Sequence, residues 1–295
     1  MKFYLIFLCA VVYVSGCSFS GDNGVATLDL KITDAPVKGA ENVVIKFTAV
    51  EIKPKGGDAI SFAIADGSID LLKLPGSIAD TLLEGAELEP GDYEWIKLVL
   101  DVESGMGLDG SYINILKDNK ITLHELSIPS GAESGLKISH SFSVKGGSKI
   151  DFTIDFDVRK SIVNTEGEYK LKPVLRLVNT KKAGHIGGTV SGNYLSATSC
   201  ADKGAVYAYE GKNASLTDIN LLAGPVSSSV VGVGNNPGLG SYYFEIGFLP
   251  IGNYTIAHTC DALLDDPESV DDISFNSSQN VSVTEANKVV ISDFE

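Results

Sequence analysis

Ile150, Phe152, Ile154, Phe156 and Val158 alternate without a break with Asp151, Thr153, Asp155, Asp157 and Arg159. A two-residue period puts one set on each face of a β-strand, whereas a helix would mix the two. The same period recurs at Leu28, Leu30 and Ile32, and at Ile96, Leu98, Leu100 and Val102. Residues 43–47 alternate in one phase and residues 50–52 in the other, which predicts a bulge near Thr48. Residues 77–83 alone read as a helix, with Ser77 as N-cap, Asp80 three residues on, and Ile78 and Leu82 one turn apart. Further along, residues 186–190, 205–209, 242–248, 254–258, 281–283 and 289–291 read as short strands. Turn-rich segments separate them, notably 224–240 with its Ser, Gly and Asn-Asn-Pro. The pattern specifies an all-β protein.

Charge divides the chain. Its 295 residues carry 23 basic and 38 acidic side chains, a net charge of −15. Residues 25–182 hold 19 basic and 24 acidic residues, and residues 183–295 hold 3 and 13, so the halves carry −5 and −10. An acidic chain without a basic stripe argues against nucleic acid and anionic lipid as electrostatic partners. The change of character falls at residues 180–184, a short linker between two tandem β-sandwich domains, 25–182 and 183–295, of immunoglobulin or transthyretin type. One echo joins them: Leu88-Glu89-Pro90-Gly91-Asp92-Tyr93 is similar to Leu249-Pro250-Ile251-Gly252-Asn253-Tyr254, each a Pro/Gly turn feeding a strand.

At the N-terminus Lys2 precedes an apolar run, residues 3–14, that is too short to span a bilayer and fits a secretory signal. Val14-Ser15-Gly16-Cys17 resembles the bacterial lipoprotein cleavage box. That resemblance implies cleavage between Gly16 and Cys17, so that residues 1–16 are the signal peptide, with diacylglycerol and an N-acyl chain on Cys17 as the membrane anchor. Residues 17–24 then form a lipidated tether, and Ser18 after the Cys resembles the pattern of outer-membrane sorting. The expected location is the bacterial cell envelope. Of four Cys, Cys9 leaves with the signal and Cys17 takes lipid. Cys200 and Cys260 remain and pair as a disulfide in an oxidising compartment.

Leu28-Asp29-Leu30-Lys31-Ile32-Thr33-Asp34-Ala35-Pro36-Val37 resembles the opening of the bacterial lipoprotein family called domain of unknown function 4382. Val43-Val44-Ile45, Asp70-Leu71-Leu72-Lys73-Leu74, Pro90-Gly91-Asp92-Tyr93 and Tyr169-Lys170-Leu171-Lys172-Pro173-Val174 continue the match in order over about residues 25–178. The resemblance implies an extracytoplasmic β-sandwich and brings no activity. Residues 184–295 resemble the carboxypeptidase regulatory-like, transthyretin-like sandwiches through Gly187-Gly188-Thr189-Val190-Ser191-Gly192 and Ala205-Val206-Tyr207-Ala208-Tyr209. That resemblance implies an accessory or adhesive module.

The chemical candidates are few. Asp155 and Asp157 share a strand face with Asp151, which suits either a cation or cross-strand pairing with Lys170, Lys172 and Arg176. Pro173 places that basic strand at an edge or a bulge. Asp34, before Ala35-Pro36, suits a turn cap or a ligand contact. Asp265, Asp266, Glu268, Asp271 and Asp272 supply the oxygen ligands that calcium takes, without the spacing of an EF-hand, and otherwise read as a solvated loop. No Gly-x-Ser-x-Gly elbow, phosphate loop, dinucleotide fingerprint or His-Glu-x-x-His occurs. The chain therefore reads as a non-enzyme with no cofactor, binding an envelope protein or glycan partner. The alternatives are a calcium-dependent adhesion module and, behind it, a hydrolase.

Overall fold

The computed structural model describes residues 24–34, 39–64, 67–101, 110–128, 135–200, 203–220, 224–232 and 242–295. Gly16 and Cys17 lie outside the described residues, so the lipid anchor does too. Among the described residues no helix is long and apolar enough to cross a membrane.

The chain is built from strands, as its alternation requires. In the first half these are β1 (Ala26–Asp34), β2 (Ala40–Pro54), β3 (Ile60–Ala63), β4 (Ser68–Asp70), β5 (Asp80–Leu88), β6 (Gly91–Leu100), β7 (Tyr112–Lys117), β8 (Lys120–Ser127), β9 (Leu136–Ile138), β10 (Phe142–Val144), β11 (Lys149–Phe156), β12 (Ile162–Thr165), β13 (Glu168–Leu171) and β14 (Leu175–Asn179). A four-residue helix, α1 (Val158–Ser161), follows β11. One sheet runs β14-β11-β1-β5. The facing sheet runs β10-β6-β2-β7-β8-β13-β12, with β3 and β4 on β2 and β9 on β6. Leu28, Leu30 and Ile32 of β1 meet Val43, Ile45, Val50 and Ile52 of β2 in one continuous core between the two sheets.

The second half holds β15 (Ala183–Thr189), α2 (Gly192–Ala197), β16 (Ala205–Glu210), β17 (Ser227–Val230), β18 (Tyr243–Pro250), β19 (Gly252–Thr259), β20 (Phe275–Val283) and β21 (Val289–Ile291). Sheet β18-β15-β21 packs over sheet β17-β16-β19-β20. Ile186, Phe244 and Ile246 meet Val206, Ala208 and Ile256 between them. Both halves are β-sandwiches.

The phase change near Thr48 is a bulge in one long strand, where the β2–β6 register shifts between Phe47 and Ala49. Both Pro/Gly turns end in the same contact. Tyr93 Oη donates to Glu89 O at 2.9 Å, and Tyr254 Oη donates to Pro250 O at 2.6 Å. Each tyrosine thus pins its strand to the turn four residues upstream, as sandwich corners do.

Three expectations fail. Residues 77–83 form no helix; from Asp80 they belong to β5, paired antiparallel with β1. Seven residues repay the cost of helix nucleation poorly, whereas β1 pairs the segment from Asp80 onward, and Thr33 Oγ1 donates to Ile78 O at 2.7 Å. The turn-rich 224–240 segment contributes a strand, β17, whose Ser227, Ser228 and Ser229 are buried by pairing with β16. The basic alternation also splits at Pro173, which stands between β13 and β14. Arg176 faces Asp155 as expected, but Lys170 pairs with Val163 on β12 and Lys172 lies outside any strand.

Between the halves the chain makes a single 3-10 turn, Thr180–Lys182, in which the Asn179 side chain accepts from Lys181 N. Val178 and Ala79 of the first half pack there against Ala183 and Phe248 of the second. The backbones touch: a Cβ on Gly247 would stand 1.8 Å from Gly76 O, so only glycine fits at position 247. Gly247→Ala is therefore expected to force the halves apart at a cost of roughly 1–3 kcal/mol. Scanning calorimetry should then resolve two transitions, whereas one unshifted transition would show that the contact does not couple them.

Candidate functional site

The loop between β19 and β20 carries the acidic run, and the structure fixes it from several sides. Cys260, directly after β19, is disulfide-bonded to Cys200 behind α2, with Cα atoms 5.3 Å apart and a separation of 60 positions in sequence. A crosslink over that span stabilises by about 4 kcal/mol in the chain-entropy account. His258 lies beside the pair, its ring packed against Tyr194 and Phe294 and its Nε2 2.9 Å from Lys203 O. With the sulfurs joined, this group offers no thiolate to a metal.

Asp261 closes the loop's base by accepting from Ser274 N at 2.9 Å. Within the loop, Asp266 accepts from Glu268 N, and Asp271 accepts from Asp266 N and Ser269 Oγ. Asp271 N in turn donates to Asp218 at 2.8 Å. Asp265 is the buried member. It accepts from Tyr207 Oη at 2.5 Å and from Ile219 N at 3.0 Å.

The first half reaches in to complete the arrangement. Arg159, in α1, lays its guanidinium over the Tyr207 ring, 4.7 Å from the centroid. Its Nη2 donates to Ala262 O at 2.6 Å and stands 3.6 Å from the Asp265 carboxylate. Lys160 Nζ donates to Pro225 O at 2.5 Å, and Lys172 pairs with Glu268. Burial pushes the Asp265 carboxyl above its ordinary value, against the opposing pull of Tyr207 and Arg159. The Tyr207 hydroxyl is raised for the same first reason, so it stays a donor.

Of the acids proposed as calcium ligands, only Asp265 and Asp271 come together, and they do so with Asp218, from the segment after β16. Asp218 carries no signal in the sequence. Calcium takes six to eight oxygens with lone pairs free to face it. Here the three carboxylates accept from backbone N–H groups, Tyr207, Ser269 and Asn220, with Arg159 beside them. The geometry is that of a loop lock. Asp266, Glu268 and Asp272 lie outside this group.

The other candidates are also structural. Asp155 receives Arg176 Nη2 at 2.5 Å, and burial raises its carboxyl in spite of that cation. Asp157 caps α1 by accepting from Lys160 N at 3.1 Å. Asp151 lies 3.9 Å from Lys31. Asp34 is buried, and its Oδ1 accepts from Val158 N at 3.2 Å, across 124 residues rather than within its own turn.

The locked loop exposes apolar side chains. Leu263 is 55% exposed, Leu264 73% and Val270 86%, with Asp266, Glu268 and Asp272 exposed around them. A crevice of about 140 Å³ opens beside them, between Arg159, Ile162 and Val230 on one side and Leu263 and Pro267 on the other.

Two consequences are measurable. Arg159→Met strands a buried carboxylate and should destabilise the protein by about 3–5 kcal/mol, most of it recovered in Arg159→Met/Asp265→Asn. Full additivity in the denaturation cycle would show that the two side chains do not interact. The deficit should also shrink as pH falls from neutral. A carboxyl raised by burial takes up its proton in the folded chain first, so folding gains as pH drops through the folded value toward the ordinary 3.8. A deficit constant with pH would place the cost elsewhere.

The model of the family described as "Domain of unknown function (DUF4382)" matches residues 25–173. No curated protein matches the chain. Among solved structures, the TIE protein of Bacillus anthracis is 12% identical at a TM-score of 0.19, over 92% of this chain and 34% of its own length. This chain thus spans about a third of that protein. The major pilin subunit of Bacillus cereus is also 12% identical, at a TM-score of 0.22 over 92% of this chain and 99% of its own.

Proposed function

This chain belongs to the DUF4382 family, whose description assigns no activity, and we propose a non-catalytic, lipid-anchored cell-envelope protein that binds a protein partner through the β19–β20 loop. The observation that carries the reading is the pairing of exposure with rigidity. Leu263, Leu264 and Val270 face solvent on a backbone held by Arg159, Asp218, Asp261 and the disulfide. Each such side chain contributes roughly 1.5–3 kcal/mol when a partner buries it fully. A loop already ordered loses little conformational entropy on binding.

Aliphatic anchors with an acidic rim favour a protein over a glycan. The aromatic platform that sugars favour is missing from the loop, and Trp95 has Lys97 and Lys137 over its ring. The anchor on Cys17 comes from the cleavage-box resemblance, and it would hold the two sandwiches at the envelope surface.

Two experiments test this. A photo-crosslinking residue at Val270 in intact cells should yield a discrete protein adduct that Leu264→Asp abolishes. No adduct, or one indifferent to Leu264→Asp, overturns the loop as a binding surface. Cys17→Ala should release a folded protein from membranes, and retention after a carbonate wash would overturn the anchor.

A further inference from the structure

Alternation along β15 turns Ile186 into the second core and His185 and Gly187 to the outer face of the sheet. Strand β18 does the same, with Phe244 and Ile246 inward and Tyr243 and Glu245 outward. The hydroxyl of Tyr243 passes 2.8 Å from where a Cβ of Gly187 would stand. An outer face ordinarily meets water, yet His185, Tyr243 and Glu245 are buried. The first half covers them, since a Cβ on Gly76 would lie 3.0 Å from the Glu245 side chain. This face is the floor of the junction between the sandwiches.

The strand that forms it is bulged. Gly184 pairs with Leu249 and Ile186 with Ile246, so two residues of β18, Gly247 and Phe248, stand opposite His185 alone. The bulge carries the junction: Gly247 is the residue that touches Gly76, and Phe248 packs with Val178 and Ala79. Phe248 has a φ of 49°, a left-handed conformation that an aromatic residue keeps only when its surroundings hold it. His185 holds it. Its Nδ1 accepts from Phe248 N at 3.2 Å, and its ring meets the Phe248 ring edge to face, 5.1 Å between centroids. A backbone N–H only donates, so Nδ1 keeps its lone pair and the ring is neutral.

A proton on that nitrogen sets donor against donor. Burial, foremost, holds the ring below its ordinary 6.5, and Glu245 pulls the other way. Among the described residues Glu245 is the one charged group acting on the ring. On the β21 side Val289 stands opposite, Lys288 offers its carbonyl to His185 N, and its amine pairs with Glu285. Ala79 and Val178, from the first half, carry no charge. The charged ring also has a place to go. Glu245 Oε2 accepts from Tyr243 Oη at 2.6 Å, while its buried Oε1 has no hydrogen-bond partner among the described residues.

We propose that His185 is a pH-sensitive latch on the junction: protonation at Nδ1 releases Phe248 N, turns the imidazole to Glu245, undoes the β18 bulge and uncouples the two sandwiches. Above 6.5 the latch is complete. As pH falls from there through the lower folded value the contact is lost, because the unfolded ring takes up its proton first. The β19–β20 loop then loses Arg159, which reaches it only from a docked first half.

The test is scanning calorimetry of the full mature chain carrying Cys17→Ala, from about pH 7.5 to about pH 4.5, together with hydrogen exchange at the Phe248 amide. One transition at the upper pH should become two at the lower, and the Phe248 protection factor should fall roughly tenfold or more. His185→Asn keeps an acceptor near the Nδ1 position without a titrating ring, so it should hold one transition and high protection throughout. Glu245→Gln removes the charge that favours the cation and should move the opening to lower pH. Two transitions at every pH, one at every pH, or a pH response that survives His185→Asn overturns the latch. Should His185→Asn fail to fold, NMR of the unsubstituted junction decides: the Phe248 amide must titrate with the His185 ring, and an amide that stays put across the range overturns the proposal.

Discussion

A guanidinium taken out of water needs acceptors, and among the described residues those of Arg159, Ala262 O and the Asp265 carboxylate, lie in the other half of the chain. Its side chain is 6% exposed and that of Asp265 is fully buried. The pair therefore exists only while the two sandwiches are in place. Arg159 is aimed by the end of β11, where Asp157 caps α1, Ser161 Oγ donates to Asp157 O, and Asp34 accepts from Val158 N. Asp34 closes β1, the strand at the heart of the first sandwich. A line of hydrogen bonds thus runs from the first core to the acidic loop of the second half, and the loop's shape depends on both.

That dependence accounts for what is left exposed. A loop of 15 residues between β19 and β20 would ordinarily bury its apolar side chains against its own sheet. Here Asp265, Ala262 and Asp271 are committed to Arg159, Tyr207 and Asp218. The backbone is held in a conformation that leaves Leu263, Leu264 and Val270 outside.

Much of the fold was legible because a sandwich core repeats one local rule. Leu28, Leu30 and Ile32 read as one buried face and are one, and the phase change near Thr48 read as a bulge and is one. The tyrosine turns showed because Pro, Gly and Tyr act within six residues. What stayed hidden was nonlocal. Arg159 closes an alternation in its polar phase, which predicts solvent, yet it is buried by residues about 100 positions away. Nothing near Asp218 marks it as a partner of Asp271. Residues 77–83 carry real helix signals, but β1 offers them a ladder that no local pattern reveals.

The charge division takes on a different meaning once the junction is known. Net −5 against −10 marks two modules in the sequence, but it also describes an interface. Arg159, Lys160 and Lys172 of the first half all reach to the second, to Ala262 and Asp265, to Pro225, and to Glu268. These contacts are unequal. Lys172 and Glu268 are both part-exposed, where water and salt leave such a pair worth about 0–1 kcal/mol. Arg159 is shielded, and removing either partner would leave a charge without solvent. Sequence charge counts treat the three cations alike. Burial makes one of them the hinge pin of the molecule, and leaves the acids that Arg159 does not use, Asp266 and Asp272, to give the exposed apolar loop its sign.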